Sequence, residues 1–248
     1  MTPNQIRIEN NKAIRKYERY GTKLFLEVLR KQSENFDPDL MKNAYIEFYQ
    51  TVFTDSAKRQ FRIIRAQEAR TKAEVVDSFF LSTWRVWIKE WVLQNLLEII
   101  AGVNENTANQ IREITAQGIA DGLNPSDLAK LLFEKVGSRS RALAIARTEG
   151  TTANNLGSKR SAEDWQIQTG ETLYKLWIHS GNPRDPRPSH ILAQNKPIPK
   201  ASNFVIDGVA MEYPGDKKAP ASQLINCLCS TVYLSERLAK KRYPEAFE

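Results

Sequence analysis

Apolar residues recur at helical spacing from position 5 to 30, where Ile6, Ile14, Tyr17, Leu24, Phe25, Val28 and Leu29 alternate with Lys, Arg and Glu. The pattern predicts an amphipathic helix. Asp37 and Pro38 give an entry to a second helix through Tyr45, Phe48 and Tyr49, and Asp55 or Ser56 a start for a third, longer and charged one. Trp84, Trp87 and Trp91 are spaced by three and four, so they share a helix face with Leu81, Ile88 and Leu96, either as core or as an anchor for a partner subunit. Gly102 is placed to end that helix, and Asn104 or Asn106 to open the next, which carries Ile111, Ile114 and Ile119 as far as Asp121-Gly122. Asn124-Pro125-Ser126 starts another, with Ser126 as N-cap and Leu128, Leu131, Leu132 and Val136 buried; a further helix spans 140–168 and closes at Gly170.

Beyond Gly170 the texture changes. Pro183, Pro186, Pro188, Pro197, Pro199, Pro214 and Pro220 exclude long helices, and the short runs 174–179 and 204–206 have strand character. A last helix at 234–241 is broken by Pro244, and 245–248 are expected to fray. The expected class is α+β: a helical N-terminal region 1–103, a unit 104–233 made of a helical stretch (104–170) and a small proline-rich β-containing module (171–233), and a C-terminal helix and tail 234–248.

Charge alters this picture in one place. The chain has 36 Lys and Arg against 29 Asp and Glu, a net +7, which favours a polyanionic partner without establishing one. Between 58 and 72, Lys58, Arg59, Arg62, Arg65, Arg70 and Lys72 are opposed by Glu68 alone, a candidate DNA-contacting face. The competing reading is a solvated helix surface with Phe61, Ile63 and Ile64 inward. The most apolar stretch, 79–103, is interrupted by Arg85, Lys89, Glu90 and Glu98, so a buried helix is expected there and no membrane contact. Residues 1–9 lack the apolar core of a signal peptide.

Candidate chemistry is confined to few residues. Cys227 and Cys229 are separated by one residue, a spacing at which a mutual disulfide is badly strained, and they read as reduced thiols. On a strand, side chains two apart face the same side, so both thiols can reach one soft cation such as zinc, with His190 as third ligand and Asp185 or His179 as fourth. The alternative is two small buried cysteines and a histidine that ties the proline-rich loop by hydrogen bonds. Arg147 and Glu149 point away from each other on one helix, and a charge-assisted link to the β module is preferred over a catalytic pair. GxSxG, Walker A, HExxH and deaminase histidine-glutamate signatures are all missing, so no enzyme is expected.

Five pieces of sequence occur in an order that resembles the Mu F-like phage head morphogenesis family: Gly122 to Ala129 (a Gly-x-x-Pro-Ser-Asp-Leu-Ala helix start), Arg141 to Glu149 with its Arg147-Thr148-Glu149 end, Lys175-Leu176-Trp177, Asp185-Pro186-Arg187-Pro188-Ser189-His190, and Asn226-Cys227-Leu228-Cys229. The resemblance covers 104–233. It departs at Leu228, where the family usually has arginine, so whatever that arginine does is not carried over. Arg147, Glu149, Trp177, Arg187 and Asn226 are implied to be structural motif residues. The resemblance implies a minor head protein of a tailed bacteriophage, made in the host bacterial cytoplasm and carried in the virion, inside the head near the portal. Its implied partners are the portal protein, scaffold or major capsid protein and packaged double-stranded DNA, and its implied task is to assist head assembly and DNA packaging or delivery. The rivals are a metal-dependent nuclease, assembled from Asp185, His190 and Glu149, or a group-transfer enzyme, and a portal adaptor without DNA contact.

Overall fold

The computed structural model describes residues 3–34, 38–66, 76–121, 123, 127, 131, 134–135, 138–181 and 186–247. Among the described residues four long helices come first: α1 (Pro3–Glu34), α2 (Pro38–Arg65), α3 (Val76–Ala120) and α4 (Arg139–Thr169). The rest is short: β1 (Leu173–Ile178), α5 (Pro188–Leu192), β2 (Ile198–Pro199), β3 (Phe204–Ile206), β4 (Val209–Met211), α6 (Ala221–Leu224), β5 (Ser230–Ser235), α7 (Glu236–Arg242) and a 3-10 turn at Pro244–Ala246. This is the expected α+β chain, with helices first and a small antiparallel module after them.

Helix α4 is central, with α1 and α2 packed against it and α3 lying on α2. Close approach is possible because α4 carries Ala146, Gly150, Ala153 and Gly157 at successive turns. At Gly157 a methyl group would lie 2.3 Å from the Phe53 carbonyl oxygen of α2, so the two backbones meet where no side chain fits. Around this contact the apolar faces of α1 and α2 bury Tyr17, Phe25, Tyr45, Phe48, Tyr49 and Phe53. The tryptophan stripe of α3 closes the same core: Trp84 is buried, while Trp87 and Trp91 lie against Phe53 and Tyr49 at ring separations of 5.3 and 5.5 Å. The stripe is thus core within the chain.

The sheet has the order β2-β1-β5, all antiparallel, with Lys175 opposite Tyr233 and Trp177 opposite Thr231. Alternation splits its side chains. Leu176, Ile178, Val232 and Leu234 pack with Ile6 of α1 and Ile63 of α2, whereas Trp177 faces Phe204, Ile206 and the two cysteines. The β3–β4 hairpin turns through Asp207 and Gly208, both at positive φ (52° and 76°), the backbone that a tight Asp-Gly turn requires. Gln60 of α2 exchanges hydrogen bonds with the Tyr233 backbone (3.1 and 3.4 Å), so the helices and the module are packed together.

Three expected boundaries differ. Helix α2 does not restart at Asp55 or Ser56; Ser56 is fully buried and its hydroxyl donates to the Asn154 carbonyl of α4, while Asp55 accepts from Tyr17 at 2.9 Å. Both residues that read as caps are spent on contacts between helices. Helix α3 runs unbroken through Gly102, since one interior glycine costs only about 1 kcal/mol, so position 103/104 falls inside a helix. Leu234 belongs to β5, and α7 starts two residues later with Ser235 as N-cap, its hydroxyl accepting from Leu238 N. Helix α4 matches the expected span closely, with Ser138 accepting from Arg141 N and Gly170 closing it at φ 67°. Ser126, Leu128, Leu132 and Val136 lie outside the described residues.

Candidate functional site

One face of α4 carries Thr148, Thr151, Thr152 and Asn155, poor helix formers at helical spacing in the middle of a 31-residue helix. All bond out of the helix. Thr148 Oγ1 accepts from Asn226 N, Thr151 donates to the Cys227 carbonyl, and Thr152 donates to the Gly215 carbonyl. Asn155, with no exposed surface, donates to the Pro214 and Cys229 carbonyls (2.8 and 3.2 Å) and accepts from Thr231 N at 2.7 Å. Asn226, at φ 58°, turns the chain so that 227–229 run along this row into β5. The cysteines therefore stand just before the strand, not on it, and both sulfurs lie on the side of His190.

Opposite them is His190, on α5. Arg187, the N-cap residue of α5, donates to the Ser222 and Ile225 carbonyls at 2.7 and 2.8 Å, fixing α5 against α6. Trp177 of β1 packs edge-on against both His190 (ring centroids 5.0 Å apart) and Phe204 (5.3 Å). His190 Nδ1 lies 3.7 Å from Cys227 Sγ and 3.6 Å from Cys229 Sγ, and all three residues are buried. Its other nitrogen, Nε2, is 2.7 Å from Gln223 Oε1, and Gln223 Nε2 donates to Asp207 Oδ2 at 3.0 Å. That carboxylate accepts only, so Gln223 must turn its NH2 toward Asp207 and its oxygen toward the ring. Nε2 then carries a proton, and Nδ1 faces the two sulfurs.

A hydrogen bond from Cys229 holds the Cys227 thiol well below its usual range against the opposing effect of burial, while that same hydrogen bond, and then burial, drives Cys229 well above it. His179, directly after β1, accepts from Gly181 N at 3.1 Å through Nδ1; burial, and then His190, lower its pKa. The metal-competent group is His190, Cys227 and Cys229, whose ligand atoms all lie within 4.8 Å of one another, and His179 is not part of it. Asp185 lies outside the described residues.

Other candidate residues are dispersed. Glu149 accepts from Tyr49 of α2 and from Lys217 of the module at 2.8 Å, a charge-assisted link between layers. Arg147 pairs instead with Glu18 of α1 at 2.7 Å and does not reach the β module. Burial, and then the Glu149 charge, pushes the Tyr49 hydroxyl well above its usual pKa. Glu149 is therefore a structural contact within the core. Of the basic stretch, Lys58, Arg62 and Arg65 are exposed, at positions i, i+4 and i+7 of one α2 face. Arg59 does not join them: its half-buried guanidinium turns inward to Tyr17, Ser56 and Asn154, a cross-link between α1, α2 and α4. Arg70 and Lys72 lie outside the described residues.

Sequence reading missed Gln223, Asp207 and the α4 polar row. The row had a detectable signal, Thr151-Thr152-x-Asn154-Asn155 inside a helix, where these residues prefer caps and turns unless partners await them. Among the described residues no helix is long and apolar enough to cross a membrane. Residues 109–232 match the model of a family described as Phage Mu protein F like protein. No curated protein and no solved structure matches the chain. The match takes in half of the chain and all the residues of the junction between α4, β1, α5 and the cysteines, and the chain belongs to this Mu F-like family of phage head morphogenesis proteins.

Proposed function

We propose that the chain is a minor head protein of a tailed phage, placed inside the head at the portal vertex, where the exposed face of α2 lies against packaged double-stranded DNA. Family membership supports the head role. The observation that carries the DNA contact is the row Lys58, Arg62 and Arg65: three exposed cations on one helix face, none ion-paired to an acid among the described residues, while the neighbouring Arg59 is withdrawn. Such a row neutralises phosphates without reading bases. A structural role is supported by the burial of His190, Cys227 and Cys229, the group of metal-competent side chains found among the described residues.

The test is the salt dependence of double-stranded DNA binding. If Arg62 and Arg65 each neutralise one phosphate, replacing both by Ala lowers the slope of log affinity against log salt by about 1.8, at roughly 0.9 per phosphate, with sequence preference unchanged. An unaltered slope removes DNA contact by this face and leaves the portal-adaptor reading.

A further inference from the structure

We propose that His190 Nδ1, Cys227 Sγ and Cys229 Sγ bind one zinc ion, which clamps α5 to the segment entering β5 and closes the β module. With Zn–S of about 2.3 Å and Zn–N of about 2.0–2.1 Å, sulfur and nitrogen ligands of a tetrahedral zinc lie about 3.6 Å apart. The Nδ1–sulfur distances are 3.7 and 3.6 Å. A single ring nitrogen makes one hydrogen bond at a time, so near-equal distances from Nδ1 to two sulfurs are better met by a common cation than by a hydrogen bond.

Second, the site is built around the ligands. The Asp207–Gln223–His190 chain sets the imidazole tautomer and aims Nδ1, the outer hydrogen bonding that metal-bound histidines require. Trp177 packs edge-on against His190 and lies in one buried cluster with both cysteines, so the ligands are walled in from the side of β1. Thr151 and Asn155 hold the carbonyls of Cys227 and Cys229 themselves. Third, a divalent ion with two thiolates and a neutral imidazole carries no net charge, which is what a fully buried site tolerates. Sulfur and imidazole donors select zinc over magnesium or calcium. Binding expels the thiol protons, so affinity rises with pH. Three protein ligands leave one of four positions for a light-atom ligand.

The chain has only two cysteines, so any thiolate–metal signature arises from this pair. The full-length chain is stripped with chelator, titrated with Co2+ and then with Zn2+. Expected are a thiolate-to-cobalt charge-transfer absorption that saturates at one ion per chain and is abolished by zinc, and a zinc-edge X-ray absorption fit with about two sulfurs. Cys229→Ser weakens zinc binding by at least about tenfold, and where that variant does not fold, the wild-type spectra decide alone. A folded wild-type chain that shows no charge-transfer band with excess Co2+, or zinc with only nitrogen and oxygen neighbours, overturns the proposal.

Discussion

Replacing Asn155 by Ala removes a single amide that serves three backbone groups outside α4 at once. The Thr231 N–H, at 2.7 Å from Oδ1, loses its acceptor in a region where Thr231 is 2 % exposed, and the Pro214 and Cys229 carbonyls each lose a donor. A buried group left without a partner costs about 1–3 kcal/mol, more for the N–H than for carbonyls that keep a second lone pair. The sum is about 3–5 kcal/mol. At roughly 2–4 °C per kcal/mol for a chain of this size, the melting temperature should fall by on the order of 10 °C. Asn155→Asp has the same size and keeps an acceptor for Thr231, but turns an anionic oxygen toward two carbonyls, so it should be at least as damaging at pH 7. Urea unfolding of the three proteins is the assay. A loss below about 1 kcal/mol for Asn155→Ala would show that the polar row of α4 does not hold the cysteine segment in place.

Gly157→Ala ordinarily favours a helix by about 1 kcal/mol, but here the methyl group meets the Phe53 carbonyl at 2.3 Å, so a net loss of about 1–3 kcal/mol is expected by thermal melting; a stabilised variant would refute the close α2–α4 approach. Trp84→Phe deletes the 2.6 Å hydrogen bond from Nε1 to the buried Asp164 carboxylate and should cost about 1.5–3 kcal/mol, which an unchanged urea midpoint would contradict. Lys175 is held by burial at a pKa of about 8, below its ordinary 10.5, so the unfolded chain binds more protons between those values and stability rises with pH there. Relative to Lys175→Met, the wild type should gain stability between about pH 8 and 10, and a flat difference would show that Lys175 is not desolvated.

The long helices were legible because their apolar faces repeat at a period that only one geometry satisfies, as with Phe25, Val28 and Leu29 on α1. Their ends were less so. Ser56 and Gly102 are a cap and a stop by local preference, and only the partner helix carrying Asn154 and Ser158 shows that Ser56 is needed as a cross-link. The same limit applies at the candidate site. Cys227, Cys229 and His190 stand out by residue type, whereas Gln223, Asp207 and Asn155 are ordinary polar residues whose roles exist only once α4, α6 and the β3–β4 hairpin surround them. Arg59 shows the converse, a cation that composition assigned to DNA and tertiary contacts turned inward.

The most direct test of the proposed role is an asymmetric cryo-electron-microscopy reconstruction of the mature virion that carries this chain. The proposal predicts density for the helical body inside the head at the portal vertex, with the face bearing Lys58, Arg62 and Arg65 turned toward the innermost DNA. Heads that lack the chain, or density for it on the outer capsid surface away from the portal, would contradict it.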